Sequence, residues 1–346
     1  MSAKYAAIRA LFELIWLSRL PGLLRALSRS RGVIFTLHRV LPETPADFSP
    51  NAILQVEPDF LDYVIERVRA LGIDIVSLDE ALERLAAPGR TRPFVVLTFD
   101  DGYKDNLHHA LPILRRHEAP FTLYVPTALV DGVGELWWQA IEDIIARQEA
   151  VALQVGTQTD YVETRTRAQK QSVFAALYGQ MRQLPEDQRL ALLHQFAAAY
   201  GFDLAAQCRT LIMDWSELRR FAGEPLCTIG AHTVHHYELA KLPLAQARDE
   251  MAQSADILLA QFGQRPRHFS YPLGGPQSAG PREFALAREL GFASAVTTRP
   301  GGLYARHAND PYALPRISLN GYFQSRRYVD VFATGAVFSL LGRITG

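Results

Sequence analysis

The chain has 346 residues, enough for one large domain or two ordinary ones. Apolar residues make up 48% and charged residues 21%, a globular balance that excludes disorder over most of the length. Lysine plus arginine equals aspartate plus glutamate at 36 each, which argues against a general nucleic-acid binder, because neutralising phosphates needs an excess of cations.

Residues 5–27 are strongly apolar but carry Arg9, Glu13, Arg19 and Arg25. No uncharged run there reaches the roughly 20 residues of a membrane span, and no small-residue cleavage site follows a clean apolar stretch. Ile8, Leu11, Phe12 and Ile15 recur at helical spacing, and residues 1–31 hold six basic residues against one acidic. The pattern predicts an amphipathic N-terminal helix. It suits an anionic membrane surface or, equally, the protein's own core.

Val33–Leu37 then reads as a strand ending at His38. A helical stretch at 58–71 precedes a second strand, Ile73–Leu78. Phe94–Phe99 is a buried-strand run ending at Asp100, Asn106–His117 is helical, and Phe121–Val125 is a strand. From about 134 to 220 the rhythm stops, and the residues read as a helical insertion without strands. It resumes with Cys227–Ala231, which ends at His232, and a helix Ala245–Phe262 stopped by Gly263. His268–Tyr271 is a strand, Arg282–Leu290 a helix, and Ala293–Thr298 and Leu314–Leu319 are strands. Val331–Gly342 is apolar and too short to span, and reads as a C-terminal amphipathic or packed helix. Alternating strands and helices predict an α/β fold, a distorted (β/α) barrel of seven to eight strands. It would occupy residues 32–325, between helical segments 1–31 and 326–346. Cys208 and Cys227 have no metal-ligand spacing and read as free thiols.

In parallel barrels the C-terminal strand ends carry the active site. Asp100 and Asp101 stand at such an end, and adjacent carboxylates repel unless a cation or proton sits between them. Gly102 permits the sharp turn that aims both at one centre. Alone, the pair suits a helix N-cap or a solvated turn just as well. In His232-Thr233-Val234-His235-His236, the i, i+4 spacing predicts two imidazoles on one helical face, as zinc sites require, with His232 and His235 as an i, i+3 alternative. Three of the ten histidines fall in this stretch. Nitrogen and oxygen ligands without thiolates suit zinc, with cobalt, nickel and iron as alternatives, and an open coordination position suits hydrolysis.

TFDDG at 98–102 and HTVHH at 232–236 resemble the first two motifs of the polysaccharide deacetylases, the NodB-homology or carbohydrate esterase family 4 group, in a likeness covering roughly residues 33–320. The resemblance implies that Asp101, His232 and His236 hold the metal and that Asp100 is the base for the attacking water. Phe269-Ser270-Tyr271-Pro272-Leu273-Gly274 is similar to the third motif, where the main-chain N–H of Leu273 would help stabilise the oxyanion. The family usually has Arg where Ser270 stands and Tyr where Leu273 stands. Arg316 is the candidate to orient the base in place of that Arg. No Leu-x-His follows near the C-terminus, so His38, as in permuted members, would protonate the leaving amine. An imidazole is mostly neutral at pH 7, so this role calls for a carboxylate that the sequence does not name. Trp137, Trp138 and Tyr271 are candidates to bind the sugar, although the tryptophans could equally anchor the insertion. Glu135 and Asp105 read as rim groups.

The implied activity is metal-dependent N-deacetylation of a polysaccharide, oligosaccharide or glycolipid amino sugar, in exopolysaccharide assembly for example. One rival is a deacylase or deformylase of a lipid-linked amino sugar, with peripheral membrane contact through the terminal helices. A carbohydrate-binding protein without catalysis and a hydrolase of a non-sugar amide are the others. The expected partner is an N-acetylated carbohydrate, not nucleic acid. The expected location is cytoplasmic, extending to the periphery of the inner membrane.

Overall fold

Strands form where β-branched and aromatic residues run together. GVIFTL, FVVLTF and FTLYV are buried at every position, as in parallel sheets covered on both faces. The computed structural model describes residues 3–18, 30–89, 91–155, 158–335 and 338. At its centre is a curled parallel sheet whose main path has seven strands: β1 (Gly32–Leu37), β2 (Phe94–Phe99), β3 (Phe121–Val125), β4 (Cys227–Ala231), β5 (His268–Ser270), β6 (Ser294–Val296) and β7 (Ile317–Ser318), with the two-residue strand Asp74–Ile75 paired to β2 off that path. Their order is β6-β5-β4-β3-β2-β1-β7, and a parallel bridge from Val296 to Leu314 brings the two edges together.

Register decides what leaves the sheet side by side. β1 and β2 pair from Gly32–Phe94 to Leu37–Phe99, so His38 and Asp100 emerge at one level. Val125 pairs with Ala231, and Ala231 with Phe269, which brings His232 and Ser270 to the same rim.

Three elements differ from the sequence expectation. The strand expected over 73–78 shrinks to Asp74–Ile75, because the Ser77 hydroxyl caps a helix Leu78–Ala86 by accepting from the Glu80 N–H. The helix expected over 106–117 opens as a π-helix, Asn106–Ala110, and becomes α-helical only over Leu111–Arg116. Pro112 has no N–H for the carbonyl of His108, so the turn ahead of it widens. The insertion holds helices α2 (Trp137–Arg147), α3 (Arg167–Gln183) and α4 (Glu186–Ala199), but also an antiparallel hairpin, Ala150–Val155 with Gln158–Glu163. The β-branched and aromatic residues of QTDYVE are the strand signal that the helical reading passed over.

Helix α5 (Leu244–Phe262) ends, as expected, at Gly263, whose φ of 74° needs no Cβ. The N-terminal helix α1 (Ala3–Leu17) lies against α6 (Arg326–Phe332). Phe12 is buried among the rings of Phe323, Tyr328 and Phe332. Glu13 accepts from the Tyr328 hydroxyl at 2.8 Å and pairs with Arg327. The apolar stripe of α1 is thus spent on the protein's own core, while Leu14 and Leu17 face outward. No helix among the described residues is long and apolar enough to cross a membrane. Most of the C-terminal helix expected over 331–342 lies outside the described residues. Cys208 and Cys227 are unpaired.

Candidate active site

Asp100 leaves β2 with its N–H on the Leu37 carbonyl, and the chain turns sharply through Asp101 and Gly102, at φ 74° and 76°. Both carboxylates are buried. Arg316, leading into β7, is 1% exposed and grips Asp100 with two bonds, Nη1 to Oδ1 at 2.8 Å and Nη2 to Oδ2 at 2.7 Å. It also donates to the Thr297 carbonyl and to the hydroxyls of Thr98 and Ser270. Burial pushes the Asp100 carboxyl up, but the guanidinium outweighs it and holds the group below the usual carboxylate range. Arg316 therefore reaches Asp100 from the chain entering β7, and Ser270, at the end of β5, accepts from it.

His232 and His236 converge with Asp101, but not on a helical face. The segment after β4 is a loop, with Thr233 and His236 left-handed at φ 64° and 58°. The Thr233 hydroxyl accepts from the His236 N–H at 2.9 Å, and the carbonyls of Thr233 and Val234 accept from the N–H groups of Thr127 and Ala128. Glu250 of α5 takes the N–H groups of Val234 and His235 on one carboxylate oxygen and the His235 ring on the other. His235 is thereby turned away, and its hydrogen bond to Glu250 raises its pKa. No spacing in the sequence pointed to Glu250.

His232 Nδ1 lies 2.6 Å from the Ser270 carbonyl, which only accepts, so the ring carries its proton there and presents a bare Nε2. Asp101 Oδ1 lies 3.6 Å from His232 Nε2 and 3.3 Å from His236 Nε2. These are poor hydrogen bonds, and Asp101 Oδ1 is buried without a hydrogen-bond partner. They are the separations of ligands sharing one ion, since bonds of about 2.0–2.1 Å in a tetrahedral site place ligand atoms about 3.3 Å apart. Donor atoms of all three residues lie within 4.8 Å of one another. The residues fit a divalent metal: one carboxylate, two imidazoles and an orphaned buried oxygen. Burial pushes Asp101 up, yet the two imidazoles hold it far below its ordinary value, while burial keeps His236 below its own despite Asp101.

Leu273 stands left-handed at φ 60°, and Thr298 donates to its carbonyl at 2.6 Å. Asp101, Thr233, His236 and Leu273 are four of the five non-glycine residues with positive φ among the described residues. Backbone strain gathers at this one rim, as it does at functional sites.

His38 borders the same cleft, which has a volume of about 420 Å³ and is floored by Asp100, Asp101, His232 and His236. Asp105 is not a rim group but buried beside His38: it accepts from the Val40 N–H and from Arg39 Nε, each at 2.9 Å. Asn106 donates to the His38 carbonyl at 2.9 Å. The π-turn after the acidic motif thus clamps the chain at His38 and at the two residues that follow it. Glu135 pairs with His194 of α4.

Trp137 and Trp138 open α2 and serve both readings left open above. The Trp138 ring lies 4.9 Å from that of His236 and its Nε1 donates to the Tyr103 hydroxyl, while Trp137 packs on Tyr178 of the insertion. Both also border the cleft. Tyr271 does not. Its side chain turns into the core, where the hydroxyl donates to the Tyr312 carbonyl at 3.0 Å, so the expected sugar contact is corrected.

The family model of the polysaccharide deacetylases matches residues 88–294. YxkH of Bacillus subtilis (strain 168), provisionally named a polysaccharide deacetylase, is 34% identical over 86 residues, 23% of this chain and 30% of that protein's length. Among solved structures, the deacetylase PplD of Streptococcus pyogenes, in complex with acetate, superimposes with a TM-score of 0.54 at 20% identity, over 84% of this chain and 92% of that one. IcaB from Ammonifex degensii gives 0.54 at 20% identity, over 88% and 97%. Those two likenesses establish the fold, and the family match establishes the kinship. Matched over more than half its length, the chain belongs to the polysaccharide deacetylases, a family of hydrolases acting on carbon–nitrogen bonds other than peptide bonds.

Proposed function

We propose that this protein hydrolyses the N-acetyl group of an amino sugar and depends on a divalent metal, zinc first, held by Asp101, His232 and His236. The observation that carries the reading is the meeting of that triad with the Asp100–Arg316 pair at one rim. A bound ion would supply Lewis-acid activation at neutral pH.

The chain's own groups do the rest. Asp100, kept ionised by Arg316, accepts a proton from the attacking water. The water oxygen bonds to the acyl carbon, and the Leu273 N–H donates to the oxygen that gains charge. His38 gives a proton to the amine nitrogen as the carbon–nitrogen bond breaks, so a neutral amine and acetic acid leave, and the acid loses its remaining proton to solvent as acetate. Clamped by Asp105 and Asn106, the His38 segment is held at the cleft.

The test is acetate release from soluble and lipid-linked acetamido sugars after chelation and reloading with zinc, cobalt or nickel. Chelation should stop turnover and reloading restore it. Asp100→Asn should abolish turnover with metal still bound, and His232→Ala should lose both. Near-normal rates in Asp100→Asn would show that the base has been misassigned.

A further inference from the structure

We infer that the cleft takes an amphiphile: an N-acylated amino sugar with an alkyl or isoprenoid chain close to the scissile amide. The inference rests on the deacetylase reading for the direction in which the substrate enters, and on the cleft walls for its class.

Above the polar floor, the walls are apolar. The 50–54 segment supplies Pro50, Ile53 and Leu54, and the insertion supplies Phe174 and Tyr178. The two terminal regions close the remaining side, with Tyr5 of α1 edge-on to Tyr322 at 5.0 Å. Arg9, one turn along α1, donates to the Tyr322 carbonyl at 2.8 Å and fixes that pairing.

Two polar wall residues have their side-chain donors already committed. Asn51 gives its amide to the Trp138 carbonyl at 2.7 Å, and Thr298 gives its hydroxyl to Leu273. Apart from His38, no residue lining the walls above that floor is acidic or basic. A buried sugar hydroxyl without a partner is costly, so a run of several sugars would find few partners here beyond the tyrosine hydroxyls. One sugar ring followed by an apolar chain matches both the polar floor and the walls. A volume of about 420 Å³ is that of a small-molecule site. Tyr5, Pro50, Ile53, Leu54 and Tyr322 all lie outside the segment matched to the family.

The chain could sit on the glycosidic side or on the acyl side, and three probes separate these. The zinc-loaded full-length protein is given methyl N-acetylglucosaminide, its octyl counterpart below the micelle concentration, and methyl N-octanoylglucosaminide. Amine release gives kcat/KM, and calorimetric titration of Asp100→Asn gives affinity without turnover. One octyl probe should exceed the methyl compound at least tenfold in both, and which one it is places the chain. Tyr5→Ser and Leu54→Ser should each collapse the octyl-to-methyl ratio towards one, while Leu244→Ser, on an exposed helix start away from the cleft, should keep it. Equal handling of all three probes, or a higher efficiency on N-acetylglucosamine tetramer, overturns the inference and leaves the deacetylase reading standing. Tight octyl binding with no hydrolysis of any probe upholds the subsite and sinks the deacetylase reading instead.

Discussion

Replacing Arg316 with methionine keeps much of the side-chain bulk and removes the guanidinium that Asp100 depends on. Arg316 is 1% exposed and Asp100 2%. Removing one partner of a buried pair strands the other charge and typically costs about 3–5 kcal/mol. The bonds to Thr297, Thr98 and Ser270 go too, each worth roughly 0.5–1.5 kcal/mol net, so the loss should fall near the top of that range. The sign with pH follows from Asp100, whose folded pKa lies below its unfolded one. The pair's contribution is complete above the ordinary aspartate value of about 3.9 and is lost as pH falls through the folded value. The unpaired carboxyl of the variant takes up its proton more readily, so the gap between the two proteins is widest at pH 7 and narrows in acid. Urea unfolding of metal-free protein across that range measures it. Adding Asp100→Asn should recover about 1–3 kcal/mol, the coupling of neighbours in a double-mutant cycle. A cost of Arg316→Met below about 1 kcal/mol, or a double variant weaker than the sum of the single losses, would refute the buried pair as the site's anchor.

Phe12→Ala should destabilise the protein by about 3–5 kcal/mol in the same assay, because the ring fills a site among four other aromatic rings. An effect as small as that of an exposed residue would mean that α1 does not pack there. Asp105→Asn should lower kcat about 10–100-fold with metal content unchanged, since it loosens the segment that carries His38, and metal analysis beside kinetics separates this from a ligand defect. The His235 ring should titrate above its ordinary value in NMR, and Glu250→Gln should bring the midpoint down. Any stability the His235–Glu250 pair contributes is full below about pH 6.5 and is lost as pH rises through the folded pKa.

Much of this was legible in the sequence, because it rests on local rules. Runs of β-branched and aromatic residues located six of the seven sheet strands closely, and the polar residues at their ends marked one rim of the barrel. The acidic pair and the histidine cluster pointed, through residue type and spacing, to a group that could hold a metal. What local rules could not supply was contact across the sheet. Spacing leaves open whether His232 partners His235 or His236, and Glu250 decides it, at no periodic distance in sequence and placed only when α5 packs on the loop. The clamp on His38 by Asp105 and Asn106 depends on the register of β1 with β2, and the exclusion of Tyr271 from the cleft on which face of the chain after β5 meets the core. Side-chain identity and short-range pattern thus determined which chemistry the chain carries. Strand register and packing, which join residues hundreds of positions apart at distances of a few ångströms, decided which of those groups meet.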